Sequence, residues 1–177
     1  MPKSLFHISD MPDILRFEPR PVAFASMTPL TPEGDMVWAV DEGHIQNYYL
    51  PRDCPRVTFY ALPESSSQDI ERLMGQSTAK YVVAIESRWF KEVMTHYLYQ
   101  YEMPGDTFTL QDEGAGYYVS RESVTPLSAR PVDDLLGELI EHNVELRVMP
   151  SLWKLRDAVI ASTLQFSIIR WRNAQQE

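Results

Sequence analysis

The sequence predicts the α+β class: a single domain over residues 1–177, with a mixed or mostly antiparallel sheet and amphipathic helices packed on it. Two patterns carry that prediction. Short runs of alternating apolar and polar residues are interspersed with runs of helical period, without a regular strand–helix–strand rhythm. Among them lies a hairpin signal, in which residues 107–110 and 117–120 flank Gln111-Asp112-Glu113-Gly114-Ala115-Gly116. The composition agrees. A chain of 177 residues, 44% apolar and 23% charged, is globular in make-up. At that size roughly 70% of the unfolded surface is buried on folding.

Along the chain, residues 4–9 read as a strand, with Leu5 and His7 on one face and Phe6 and Ile8 on the other. Residues 10–35 hold five of the thirteen prolines and read as a long ordered loop. A second strand spans 36–40, and Asp41 suits the N-cap of a helix over 42–49 that Pro51 stops. Residues 56–61 alternate as a half-buried strand, Ser67 caps a helix over 68–74 ended by Gly75, and 81–86 is apolar enough for a central strand. Trp89, Phe90, Val93, Met94, Tyr97, Leu98 and Tyr101 share one helical face, so a helix is expected over 89–101. The hairpin follows. Val132, Leu135, Leu136, Leu139 and Ile140 give another helix, with Pro131 in its first turn and Asn143 at its end. Residues 144–149 make one more strand. From Ser151 onward neither Gly nor Pro interrupts the chain, which favours a last helix, although 163–171 also alternates as a strand would.

Net charge is −9, which argues against general nucleic-acid binding. Residues 1–145 carry 11 basic and 23 acidic side chains, whereas 146–177 carry 5 and 2, so the C-terminal end is basic. Because that end is also apolar, docking on the protein's own body is the expected use. No apolar run approaches the ~18 residues of a membrane span. A single cysteine, Cys54, and no Asn-x-Ser/Thr acceptor point to the cytoplasm. Oligomeric state and cofactor have no signature here.

Several chemistries are excluded by motif. There is no Walker loop, and Gly114-Ala115-Gly116 lacks the third glycine of a dinucleotide fingerprint. His7, His44, His96 and His142 have no ligand spacing, so no metal site is expected. In Pro51-Arg52-Asp53-Cys54-Pro55-Arg56 two arginines flank the thiol, but a cysteine-dependent phosphatase would need an arginine where Tyr60 stands. A buried structural cysteine is the stronger reading. Arg52 and Arg56 remain candidates for an anion at a strand edge, against an Arg52–Asp53 contact within the turn. His7 is either a polar group at a cleft mouth or a half-buried histidine bonded to backbone, and a lone histidine favours the second. Trp38, Asp41, Glu42, His44 and Tyr48 crowd a strand-to-helix junction, a usual place for a site, although acids there also suit a helix dipole. Tyr117, Tyr118 and Ser120 could stack on a ring or simply pack, with Glu122 beyond them.

Leu5-Phe6-His7-Ile8-Ser9-Asp10, Phe17-Glu18-Pro19-Arg20, Val37-Trp38-Ala39-Val40-Asp41-Glu42, the 51–56 segment, Gly116-Tyr117-Tyr118-Val119-Ser120 and Phe166-Ser167-Ile168-Ile169-Arg170 together resemble a family of bacterial proteins known as a domain of unknown function. That resemblance covers nearly the whole chain and implies a shared fold but no activity. A second, arrangement-level resemblance is to ADP-ribosyltransferase-like domains. His7 matches their first-strand residue, Trp38 stands where they carry a tyrosine, and Glu122 or Glu102 stands for their glutamate. It implies a nucleotide-like phosphate ligand such as NAD. His7 and Trp38 would hold the nicotinamide-ribose end in one cleft, and Arg52 or Arg56 would hold the phosphates. Glu122 would stabilise an oxocarbenium-like centre. The alternative is a non-catalytic binding or scaffold protein.

Overall fold

A computed structural model describes residues 4–21 and 34–176. They form ten strands, mostly antiparallel, and four α-helices in an α+β arrangement with no closed barrel. Two compact units are distinguished, Met1–Ile45 with Tyr97–Val132, and Gln46–His96 with Asp133–Glu177.

The first unit is built on a six-stranded antiparallel sheet. Its strands are β1 (Leu5–Ser9), β2 (Val37–Asp41), β5 (Leu98–Met103), β6 (Thr109–Asp112), β7 (Tyr117–Ser120) and β8 (Ser128–Val132), in the order β6-β7-β2-β1-β5-β8. Leu5 pairs with Asp41 and with Met103, and Val40 pairs with Tyr117. Side chains alternate across each strand, so these registers fix the faces. Leu5, Val37, Ala39, Tyr101 and Met103 pack together on one face with Phe17 and Val124. The proline-rich segment is irregular as far as it is described, pinned by single bridges from Phe17 to Val124 and from Arg20 to Met36. Its remainder, residues 22–33, lies outside the described residues.

The second unit holds a four-stranded sheet in the order β10-β3-β4-β9, from β3 (Arg56–Tyr60), β4 (Tyr81–Glu86), β9 (Val144–Met149) and β10 (Gln165–Ile169). Only β4 and β9 run parallel. Every residue of β4 is buried, as the apolar run over 81–85 requires of a central strand. Val57, Phe59, Val82 and Ala84 meet Leu73 and Met74 at the end of α1 (Ser67–Leu73), and Leu152 and Val159 at α4 (Trp153–Ile160). Each such large side chain contributes about 1.5–3 kcal/mol by leaving water. Helix α1 starts one residue earlier than expected, because Ser66 takes the N–H of Asp69. Gly75 ends it in the left-handed region, φ 61°.

Three expectations fail in the second half of the chain. The helix over 89–101 shrinks to α2 (Phe90–Val93), and β5 takes over from Leu98. Tyr99, Tyr101 and Met103 alternate onto the packed face, while Met94 and Tyr97 of the supposed helical stripe are exposed. Pro131 lies in the edge strand β8, where a missing N–H is tolerated, and α3 (Leu135–Glu141) starts later, capped by Asp134. The last helix stops at Ile160, and residues 165–169 are a strand pairing with β3.

Candidate functional site

At the end of β2 the chain does not begin a helix at Glu42. Asp41 closes the strand and its carbonyl takes the N–H of His44, 3.1 Å away, so the chain turns sharply. Only a short 3-10 turn, Ile45–Tyr48, follows. The Asp41 carboxylate therefore caps no helix. It accepts a hydrogen bond from Nδ1 of His44 at 2.6 Å, with both side chains largely buried, 6% and 16% exposed.

The β6–β7 hairpin closes this pair. The N–H of Asp41 donates to the carbonyl of Gly116, 3.0 Å. Gly116 has φ 66°, and a Cβ there would sit 2.6 Å from Cγ of His44 and 2.7 Å from Oδ1 of Asp41. Only glycine accepts both the backbone conformation and the contact. Because an ionised carboxylate can only accept, Nδ1 carries the proton, and the ring is fixed in orientation and tautomer. Nε2 has no hydrogen-bond partner among the described residues. Glu42 and Glu113 stand in the two turns beside the pair and Asp112 ends β6, making this end acidic.

The other expected residues disperse. His7 donates from Nδ1 to the Trp38 carbonyl at 2.8 Å, and its ring packs 4.7 Å from that of Phe17. Its side chain shares the face of Leu5, whereas Trp38 shares the face of Val40 and Phe6 and meets Tyr117 edge-on at 5.6 Å. His7 and Trp38 thus project from opposite faces of the sheet, so the cleft expected to hold both does not form. Tyr118 packs against the core cluster. Glu122 is exposed, its N–H bonded to Oγ of Ser120 at 3.2 Å.

Arg52, Cys54 and Arg56 belong to the second unit. Arg56, only 2% exposed, donates to the carbonyls of Asn47, Pro51 and Cys54 at 3.1, 3.2 and 2.7 Å. Its guanidinium is committed to backbone rather than displayed to an anion. Burial pushes the Cys54 thiol up to about 12, outweighing the opposite pull of Arg56, so the thiolate is disfavoured. Arg52 is exposed and makes no ion pair with Asp53.

Sequence reasoning named His44 but gave Asp41 a different task and passed over Gly116. The available signal was a glycine ending a hairpin loop. Among the described residues no cluster of three metal-ligating side chains occurs, and no helix is long and apolar enough to cross a membrane. An open cleft of about 360 Å³, lined by Met149, Pro150, Ser151, Trp153 and Lys154, touches none of the expected site residues.

No curated protein and no solved structure matches the chain. Residues 6–174 match the family of unknown function DUF6886, and the chain belongs to that family.

Proposed function

We propose that the first unit carries an acid–base site for a small polar ligand, with His44 as the group that exchanges a proton. One observation supports this reading above the rest: Asp41 accepts the hydrogen bond from Nδ1–H under a glycine that leaves no room for a side chain, so Nε2 is the nitrogen open to a ligand. An imidazole fixed in this way accepts a proton from a hydroxyl or water at Nε2, and the carboxylate stabilises the imidazolium that forms. A carboxylate serving only to cap a turn would need no ring.

The nucleotide-like phosphate ligand, NAD included, remains the class we put forward, in a bacterial cytoplasmic protein whose lone cysteine suits that compartment. Glu42, Asp112 and Glu113 repel phosphates, so this end favours the base and ribose of such a ligand, whose hydroxyls donate. The scaffold alternative draws support from His7 and Arg56, both of which are spent on backbone carbonyls.

A thermal-shift screen with NAD, ADP-ribose, mononucleotides and nucleosides tests the proposal. A ligand at a hundred times its Kd adds about 2.7 kcal/mol of apparent stability. The wild type should be stabilised and His44→Gln should not. If no compound stabilises the wild type, or the variant responds equally, the reading is wrong.

A further inference from the structure

The geometry points to a separate phosphate-binding site in the second unit, formed by the guanidinium groups of Arg52 and Arg170. It does not rest on the Asp41–His44 reading, and either can fail without the other.

The turn that carries Arg52 is held on two sides. From within, Arg56 binds the carbonyls of Pro51 and Cys54, and the Cys54 N–H closes back on Pro51 at 3.0 Å. From the C-terminal segment, Nε of Arg170 donates to the Arg52 carbonyl at 3.0 Å, and the Asn173 amide donates to the Asp53 carbonyl at 2.8 Å. All these bonds use backbone carbonyls of residues 51–54. The Arg52 side chain is left outside, exposed and without an acidic partner among the described residues. A rigid turn presenting an unpaired guanidinium is preorganised for an anion.

Arg170 supplies the second fork. Nε is its only bonded nitrogen, so neither Nη nitrogen has an acceptor among the described residues. Its backbone is left-handed, φ 56°, a conformation that costs a long side chain about 1 kcal/mol or more. The Asn173 N–H, 2.9 Å from the Arg170 carbonyl, holds the turn that follows. Burial, then the charges of Arg52 and Arg172, pull the Arg170 pKa below its usual value, while Asp53 and Tyr48 oppose them. Arg170, partly desolvated, is disfavoured by these neighbouring cations, and a bound anion removes that cost. Each fork can take two oxygens of one group. A monocarboxylate offers only two in all, which a single fork satisfies, whereas a phosphate offers enough for both.

Isothermal titration of the full chain with sodium pyrophosphate, inorganic phosphate and AMP, at low and matched ionic strength, tests this. Pyrophosphate and phosphate should bind. Arg52→Lys should weaken them about tenfold or more, since an ammonium cannot reproduce the fork, with no change in the unfolding midpoint. Arg72→Lys, whose arginine pairs with Asp69 elsewhere in the unit, should bind as the wild type does. Tighter binding of AMP than of phosphate identifies a nucleotide source, and equal or weaker binding a free phosphate. The inference is overturned if pyrophosphate gives no binding heat, if Arg52→Lys and Arg52→Ala bind as the wild type does, or if acetate binds as tightly as phosphate.

Discussion

Gly116→Ala separates the cost of a left-handed alanine from the cost of breaking the Asp41–His44 pair, because Gly75 supplies a matched control. Both glycines have φ above 60°. At Gly75 the nearest atom to an added Cβ is 3.9 Å away, so Gly75→Ala meets only the left-handed penalty of about 1–2 kcal/mol. At Gly116 the same Cβ lies against Nδ1 of His44, 2.6 Å from its Cγ and 2.7 Å from Oδ1 of Asp41, so the pair must separate. A hydrogen bond to a charged group is worth about 1.5–3 kcal/mol. Gly116→Ala should therefore cost about 2.5–5 kcal/mol, exceeding Gly75→Ala by about 1.5–3 kcal/mol. The loss of unfolded-chain freedom on replacing glycine is common to both variants and cancels. Urea melts followed by circular dichroism read the difference, provided the slopes agree. Two variants within about 0.5 kcal/mol of each other, a margin usual for unrelated surface changes, would mean that the ring and carboxylate give way freely. The claim that Gly116 holds the pair would then be wrong.

Three further outcomes are expected. Asp69 is held at about 2, below its ordinary 3.8, first by the Thr163 N–H and then by the Thr163 hydroxyl. A depressed carboxylate stabilises fully above its unfolded value and progressively less below it. The stability gap between wild type and Asp69→Asn should thus be constant near neutrality and close as pH falls from about 4 towards 2, and a pH-independent gap contradicts the assignment. Cys54, buried and raised to about 12, should react with thiol reagents only as the protein unfolds, and Cys54→Ser should leave ligand binding intact; rapid labelling near neutral pH would refute this. Leu139 is buried in α3 whereas Leu136 is only partly so. Leu139→Ala should cost about 2–5 kcal/mol and Leu136→Ala clearly less, and the reverse order in urea melts would mean that the buried face is misassigned.

Strands were legible where one period alone fitted the residues. Residues 81–85 are apolar on both faces and 56–60 are closed by prolines on one side, so neither could be mistaken for a helix. Residues 89–101 read as a helix by local period alone, and long-range pairing of Tyr101 with His7 and Ala129 made 98–103 a strand instead. The ambiguity at 163–171 was resolved by pairing with β3. The candidate sites were half legible. His44 and Arg52 stood out by type and neighbours, but their partners are remote in sequence. Gly116 reaches His44 only through the pairing of β2 with β7, and Arg170 reaches Arg52 only once β10 lies beside β3. Local pattern encodes neither contact, which is why Gly116 looked like an incomplete dinucleotide motif and Arg170 only like part of a basic end docked on the protein's own body.

Which nitrogen of His44 faces a ligand is the decisive feature of the site, and a long-range ¹H–¹⁵N spectrum of the histidine rings measures it. His44→Gln identifies the His44 signals. In the neutral ring, Nδ1 should be the protonated nitrogen in the wild type, and Asp41→Asn should disturb that preference. On saturation with the compound that gives the largest thermal shift, the Nε2 resonance should move while Nδ1 stays in place. A proton on Nε2 in the free protein, or an Nε2 signal unmoved at saturation, would contradict the proposal that this nitrogen serves the ligand.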